Sequence, residues 1–175
     1  KGFKVIGVDI SEEMLIEARK KNSQIKFIRQ DMKQLDLNKK FSVIIIFFNS
    51  ILYNKNKEEM EKTLANFYKH LEKGGLLIFD AVDKSIGIDS KKEDYKNEDL
   101  EFRPQWILEN DQLKIDIDFI IDDKEYHDLH VMGAFSIAET KQIIEDVGFE
   151  VVLIEKDFAE KEPYKSKWAI FVCRK

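Results

Sequence analysis

The chain has 175 residues, enough for one domain with a substantial core. Its composition, 43% hydrophobic and 36% charged with a net charge of -5, is that of a globular domain with a heavily charged surface, and it argues against a general nucleic-acid binder. A single cysteine, Cys173, excludes an intrachain disulfide and fits a reducing cytoplasm, and no apolar run approaches the roughly 20 residues of a membrane span.

The first half alternates strand and helix. Phe3 to Val8 is a mostly apolar run ending in Asp9, which suits a parallel strand covered on both faces. Ser11 is a good N-cap, Glu12 and Glu13 favour the first turn, and Arg19, Lys20 and Lys21 favour the last. Met14, Leu15 and Ala18 give this helix its apolar side. Ile25 to Ile28 and Ser42 to Phe48 predict two further strands. Asn56 with Glu59 resembles a capping box, and Met60, Leu64, Phe67 and Leu71 fall on one helical face. Gly74 and Gly75 are expected to end that helix, and Leu76 to Phe79 to form a buried strand ending at Asp80.

The period then changes. Lys84 to Glu98 is polar and reads as a loop or short surface helix. Leu113, Ile115, Ile117, Phe119 and Ile121 alternate with Lys114, Asp116 and Asp118, a half-buried antiparallel strand between turns at Asn110-Asp111 and Asp122-Asp123. With Leu100 to Leu108 and Glu125 to Val131 it predicts a three-stranded meander. Ser136 and Glu139 form a capping-box pair, Ile143, Ile144 and Val147 line a last helix, and Gly148 stops it. Glu150 to Ile154 and Trp168 to Cys173 predict a terminal hairpin around the charged tract Lys156 to Lys167. The fold class is therefore α/β: a Rossmann-like open, mostly parallel sheet with a C-terminal antiparallel hairpin and an inserted antiparallel β-meander. Three parts are expected: residues 1–83 on the cofactor side, 84–133 as an insertion serving as acceptor side or lid, and 134–175 completing the same domain.

In open α/β sheets ligands bind beyond the carboxyl ends of the strands, so Asp9, Asp31, Asn49 and Asp80 are the residues to examine. A carboxylate at Asp9 suits a ribose diol, and it equally suits a helix cap or turn. A carboxylate at Asp31 suits an adenine amino group, with Met32 beside the ring; it equally suits a solvated turn. His70, near a helix end, favours the dipole and reads as a surface residue. His127 and His130 point to opposite faces of a strand and do not jointly hold a metal; no zinc signature, P-loop or Gly-x-Ser-x-Gly occurs.

Taken together, these pieces resemble a family. Val5 to Ala18 resembles the second strand and helix of class I S-adenosylmethionine (SAM) dependent methyltransferases, and Asp31-Met32 looks like their adenine-contacting dipeptide. Leu71-Glu72-Lys73-Gly74-Gly75-Leu76-Leu77-Ile78 looks like their helix, glycine turn and fifth strand. Phe135-Ser136, Glu139 and Val147-Gly148-Phe149 resemble the last helix and sixth strand. Asn49-Ser50-Ile51-Leu52-Tyr53 is similar to the loop after the fourth strand in glycine N-methyltransferase-like and sugar N,N-dimethyltransferase-like enzymes. The resemblance implies cofactor contacts at Asp9, Ile10, Met14, Asp31, Met32 and Asn49. It implies acceptor-side chemistry at Tyr53, Asp80 or His130, and direct methyl transfer to a small molecule, an amine. Trp106 and Tyr126 would wall the acceptor pocket or pack the insertion onto the sheet.

One part of the family pattern has no match. The seven glycines form no Gly-x-Gly, so the first strand and its glycine-rich loop are not represented. A compact sheet of this kind needs roughly 40 or more residues upstream of Lys1, and the chain as written is expected to hold the cofactor poorly. Two other readings stay open: a nucleotide-dependent oxidoreductase, since Asp9 fits any ribose, and a non-catalytic module of the same fold. The partners expected are a small-molecule acceptor, no nucleic acid, no membrane, and a second copy bound through the insertion.

Overall fold

A computed structural model describes residues 2–86, 95–96, 100–156 and 168–175. Strands β1 (Ile6–Asp9) and β2 (Lys26–Arg29) pair in parallel, with Asp9 opposite Arg29. The helix between them, α1 (Glu12–Lys21), starts as expected: the Ser11 hydroxyl accepts the Met14 N–H at 3.2 Å. Its apolar side is narrower than the pattern implies. Leu15 is buried, whereas Met14 and Ile16 are exposed.

The second sheet runs β3-β4-β10-β9. Strand β3 (Phe41–Ile46) lies parallel to β4 (Leu71–Val82). Strand β10 (Trp168–Arg174) is antiparallel to both β4 and β9 (Glu150–Lys156), giving the terminal hairpin. Residues 157–167, within the charged tract, lie outside those described. Helix α2 (Lys57–His70) buries Met60, Leu64 and Phe67, as its period predicts. Asn56 Oδ1 accepts the Glu59 N–H at 2.9 Å, but the box is not closed. The Glu59 carboxylate instead accepts from Lys55 N–H and pairs with Lys33 Nζ at 2.5 Å, because an ion pair outweighs a second neutral cap contact.

Gly74 and Gly75 do not end α2. The helix stops at His70 and the chain is already extended at Leu71. The glycines serve an irregularity in β4, where Phe41 pairs with Leu71 but Val43 pairs with Leu76. Gly74 takes φ +77° there, a conformation that favours glycine. Gly74 N–H donates to Lys175 O and Lys175 N–H donates to Gly75 O, both at 3.0 Å, so the C-terminus fixes the irregularity. His70 is likewise not a surface residue. It is buried, and its Nε2 accepts from Leu37 N–H at 3.1 Å, leaving Nδ1–H to donate to Asn66 O at 2.7 Å.

Helix α3 (Ile137–Val147) has the full Ser136–Glu139 capping box, and Gly148 ends it at φ 104°. The core is centred on Phe79 stacked against Phe171, ring centroids 4.9 Å apart, with Ile143, Ile144, Leu77 and Leu64 around them. In the remaining sheet, β5 (Tyr95–Lys96), β6 (Leu100–Glu109), β7 (Gln112–Ile121) and β8 (Lys124–Gly133) pair in chain order, one short strand more than the three expected. Asn110, Asp111, Asp122 and Asp123 all have positive φ, as two-residue hairpin turns require. Of the tract Lys84 to Glu98, Lys84–Ile86 form a 3-10 turn and Tyr95–Lys96 a strand; the rest lies outside the described residues. Leu113, Met132 and Ala134 join the core, and Trp106 packs on it, whereas Tyr126 is half exposed. Among the described residues no helix is long and apolar enough to cross a membrane.

A buried polar pair ties the loop after β3 to α2. Thr63 Oγ1 donates to Asn54 Oδ1 at 2.7 Å, and Asn54 Nδ2 donates to Ile51 O at 2.8 Å. Both side chains are fully buried. Thr63→Val keeps the shape but strands the Asn54 oxygen, and is expected to cost about 1–3 kcal/mol. Urea unfolding measures this; an unchanged midpoint would contradict it.

Candidate active site

Two carboxylates stand at the ends of adjacent parallel strands. Gln30 N–H donates to Asp9 O at 3.0 Å, which sets Asp31 beside the end of β1. Asp9 Oδ1 accepts the Ser11 N–H and Asp31 Oδ1 accepts the Lys33 N–H, both at 2.9 Å. The turn-forming role read for each is therefore real, but it occupies one oxygen of each pair. Asp9 Oδ2 and Asp31 Oδ2 take no hydrogen bond among the described residues, so the structural role leaves one oxygen of each carboxylate unengaged. Ile10 and Met14 are exposed beside Asp9, and Met32 is half-buried against the core. The Asp31 turn is fastened to α2 by Asn66 Nδ2 donating to Lys33 O at 2.6 Å, by the Lys33–Glu59 pair and by His70.

The loop after β3 is built differently. Phe48 and Asn49 both adopt the left-handed conformation, at φ 59° and 56°. For a phenylalanine that is an outlier, costing on the order of 1–3 kcal/mol. Asp80 offsets the cost from the neighbouring strand β4, which does not end at Asp80 as its pattern implies but runs on to Val82 because Ala81 and Val82 still pair with β10. Its Oδ2 accepts Phe48 N–H at 3.1 Å and its Oδ1 accepts Asn49 N–H at 2.9 Å. With one backbone N–H on each oxygen, Asp80 clamps the loop. The chain then enters a 3-10 turn, Ser50–Tyr53, with Ile51 and Leu52 fully buried. Asn49 does not cap that turn with its side chain. Its Oδ1 is buried and has no hydrogen-bond partner, unlike every other buried side-chain oxygen or nitrogen among the described residues.

Strand β8 meets this loop. A Cβ at Gly133 would lie 2.3 Å from Asn54 O, so glycine permits the contact. Three residues earlier, His130 Nδ1 lies 2.5 Å from the Tyr53 hydroxyl, with the rings edge to face. Asp128, on the same face of β8, approaches His130 Nε2 at 3.3 Å. The Tyr53 phenol is pushed above its ordinary pKa, chiefly by burial, then by the Asp128 and Asp9 charges. Tyr53 thus feels Asp9 as well as the meander. The structure brings Tyr53, His130 and Asp9 into one region, and adds Asp128, which sequence reasoning missed. Its only signal there was the i, i+2 spacing from His130. His127 does face the other way, against Asp116 and Asp118 at 3.3 and 3.2 Å. That cross-strand cluster depends on register, which the sequence did not supply.

This geometry has counterparts. A family description, "Methyltransferase domain", matches residues 1–75. The Bacillus subtilis protein named putative methyltransferase YqeM is 30% identical over 98% of this chain and 74% of its own length. The chain belongs to the class I SAM-dependent methyltransferases. A Streptomyces venezuelae relative, dTDP-3-amino-3,4,6-trideoxy-alpha-D-glucopyranose N,N-dimethyltransferase, is 26% identical over 85% of the chain and 67% of that protein. The fold matches the crystal structure of an S-adenosylmethionine-dependent methyltransferase from Clostridium acetobutylicum, with a TM-score of 0.85 at 20% identity over 98% of this chain and 75% of that one. Of the three readings left open by the sequence, the methyltransferase stands, and the oxidoreductase and non-catalytic readings fall.

In this methyltransferase the Tyr53 shift is directly measurable. Spectrophotometric titration of the wild type minus Tyr53→Phe is expected to show a phenol ionising above free tyrosine, and nearer to it once Asp128 is replaced by Asn. A difference curve at the free-tyrosine position would contradict the arrangement.

Proposed function

We propose that this methyltransferase moves a methyl group from SAM to a small-molecule amine by direct displacement, with Asp9, Asp31 and Asn49 on the cofactor side and Tyr53 and His130 on the acceptor side. When bound, SAM supplies an activated methyl group on a sulfonium leaving group, so the protein's task is chiefly approach and alignment. The residues present fit that cofactor. Asp9 and Asp31 each hold a free carboxylate oxygen for ribose and adenine donors, and Asn49 holds a buried acceptor awaiting one. Ile10, Met14 and Met32 supply apolar surface beside them.

The observation that carries the acceptor assignment is the 2.5 Å contact between Tyr53 and His130. It joins the loop after β3 to the insertion, on the side that feels Asp9. An amine must shed a proton before or during attack, and His130 is a base within reach of that path. The local charge supports a cationic or amine ligand. Asp9 and Asp128 both act on Tyr53 there, and the nearby Lys33 is paired with Glu59. The Streptomyces venezuelae relative is named for an amino-sugar acceptor, which supports the same class. Within this reading residues 1–83 form the cofactor side, 84–133 the acceptor side, and 134–175 complete the domain. A second copy docks through the insertion, and the single buried thiol of Cys173 suits the cytoplasm.

Three measurements test this on the full-length gene product. Calorimetry with SAM should show Asp9→Ala binding weaker by about 1.5–3 kcal/mol, roughly tenfold to hundredfold. Equal affinity with an unchanged circular dichroism spectrum would remove Asp9 from the site. Methyl transfer from labelled SAM should appear with an amine among glycine, amino sugars and polyamines. Gel shifts at moderate salt with tRNA and duplex DNA should show no binding, and salt-sensitive sub-micromolar binding would move the acceptor to nucleic acid.

A further inference from the structure

We infer that Asp128 is a positioning residue that fixes the tautomer of His130, so that Tyr53, His130 and Asp128 act as one proton-accepting chain on the acceptor side. The inference rests on the reading of Tyr53 and His130 given above. It begins with the inventory of donors. The Asp128 carboxylate lies 3.3 Å from His130 Nε2 as an ion-pair contact, and its negative charge favours the ring proton on that nitrogen over Nδ1. Nδ1 is then left with its lone pair, and that lone pair meets the Tyr53 hydroxyl at 2.5 Å. Tyr53 has a proton to give, because burial and two nearby carboxylates disfavour its phenolate.

The chain is assembled from two elements whose relative position is fixed. Asp128 and His130 lie two apart on β8 and share a face. Across β7 they pair with Ile117 and Ile115, whose apolar side chains offer the imidazole no competing partner. Tyr53 comes from the turn held by Asp80 and by the buried Asn54–Thr63 pair. The close approach at Gly133 sets the distance between the two elements. A proton shed by the acceptor nitrogen passes to the Tyr53 oxygen as the Tyr53 proton moves to Nδ1. The imidazolium so formed keeps Nε2–H beside Asp128, whose charge at 3.3 Å stabilises it. Asp128 never takes the proton. Without it, no other charged group among the described residues contacts Nε2 to select the Nε2–H tautomer, and the Nδ1–H form would turn a donor toward Tyr53.

Long-range proton–nitrogen spectra of the histidine rings test this without any acceptor. His70 is an internal reference, since its contacts require the opposite, Nδ1–H tautomer. His130 is assigned by its loss in His130→Gln. The expected result is a pure Nε2–H pattern for His130 in the wild type and in Asp128→Glu, and a mixed or inverted pattern in Asp128→Ala, with the His70 signals unmoved. A His130 pattern unchanged in Asp128→Ala overturns the inference. With whichever amine proves active, Asp128→Ala should lower kcat roughly tenfold or more with KM little changed, and Asp128→Glu should restore much of it. An unaltered kcat also counts against it. Failure of the wild type to bind SAM would instead sink the functional reading, while the tautomer result would still stand or fall alone.

Discussion

The site depends on one carboxylate, Asp80, accepting two consecutive backbone N–H groups. Phe48 and Asn49 are held left-handed, and a loop paying for two such residues needs a compensating contact. A charged acceptor supplies roughly 1.5–3 kcal/mol per hydrogen bond, enough to hold the conformation. Everything downstream follows from that reversal of the chain. Ile51 and Leu52 turn into the core, Asn49 is left with a buried and unpartnered oxygen, and Tyr53 emerges toward β8. A neutral side chain at position 80 would leave the loop free to relax into an ordinary turn, and Asn49 and Tyr53 would lose their placement together.

The site is also composite. The proposed cofactor side comes from the ends of β1 and β2, and the proposed acceptor side from the loop after β3 and from the meander. These parts are fastened by different means. The Asp31 turn is tied to α2 by polar contacts: the Lys33–Glu59 pair, Asn66 and buried His70. The meander is tied by apolar burial of Leu113 and Met132, and by the backbone approach that Gly133 allows. Strands β1 and β3 each pair along one edge only among the described residues, and Val8, Val43, Ile45 and Phe47 remain exposed beside those edges. The rigidity of the site therefore resides in α2 and the meander more than in the sheet edge.

What the sequence made legible was local. Ser11, Asn56 and Ser136 cap their helices, and Asn110-Asp111 and Asp122-Asp123 turn their hairpins, because each interaction closes within a few residues. The alternation of β7 placed Leu113 and Ile117 inside for the same reason. The misreadings all involve partners distant in sequence. Gly74 serves an irregularity fixed by Lys175, about a hundred residues away, so its turn chemistry was visible but not its purpose. His70 looked like a dipole partner at a helix end, and only the return of Leu37 against it makes it a buried bridge. Glu59 had the spacing of a capping box, but Lys33 competes for it from another element.

The aspartates show the same limit most sharply. In sequence Asp9, Asp31 and Asp80 are equivalent candidates, each following a short apolar run. Counting the N–H groups each accepts separates them. Asp80 accepts two, one on each oxygen, and so holds the backbone of the loop after β3. Asp9 and Asp31 accept one each, and shape their turns while leaving one oxygen without a hydrogen bond among the described residues. Asp128 closes no strand and drew no attention, yet its described contact is a ring nitrogen. A carboxylate's role here is set by how much of its charge the fold has already used. That quantity depends on which N–H groups fold against it, which for Asp80 means a loop about thirty residues away and for Asp128 an imidazole two residues along one strand.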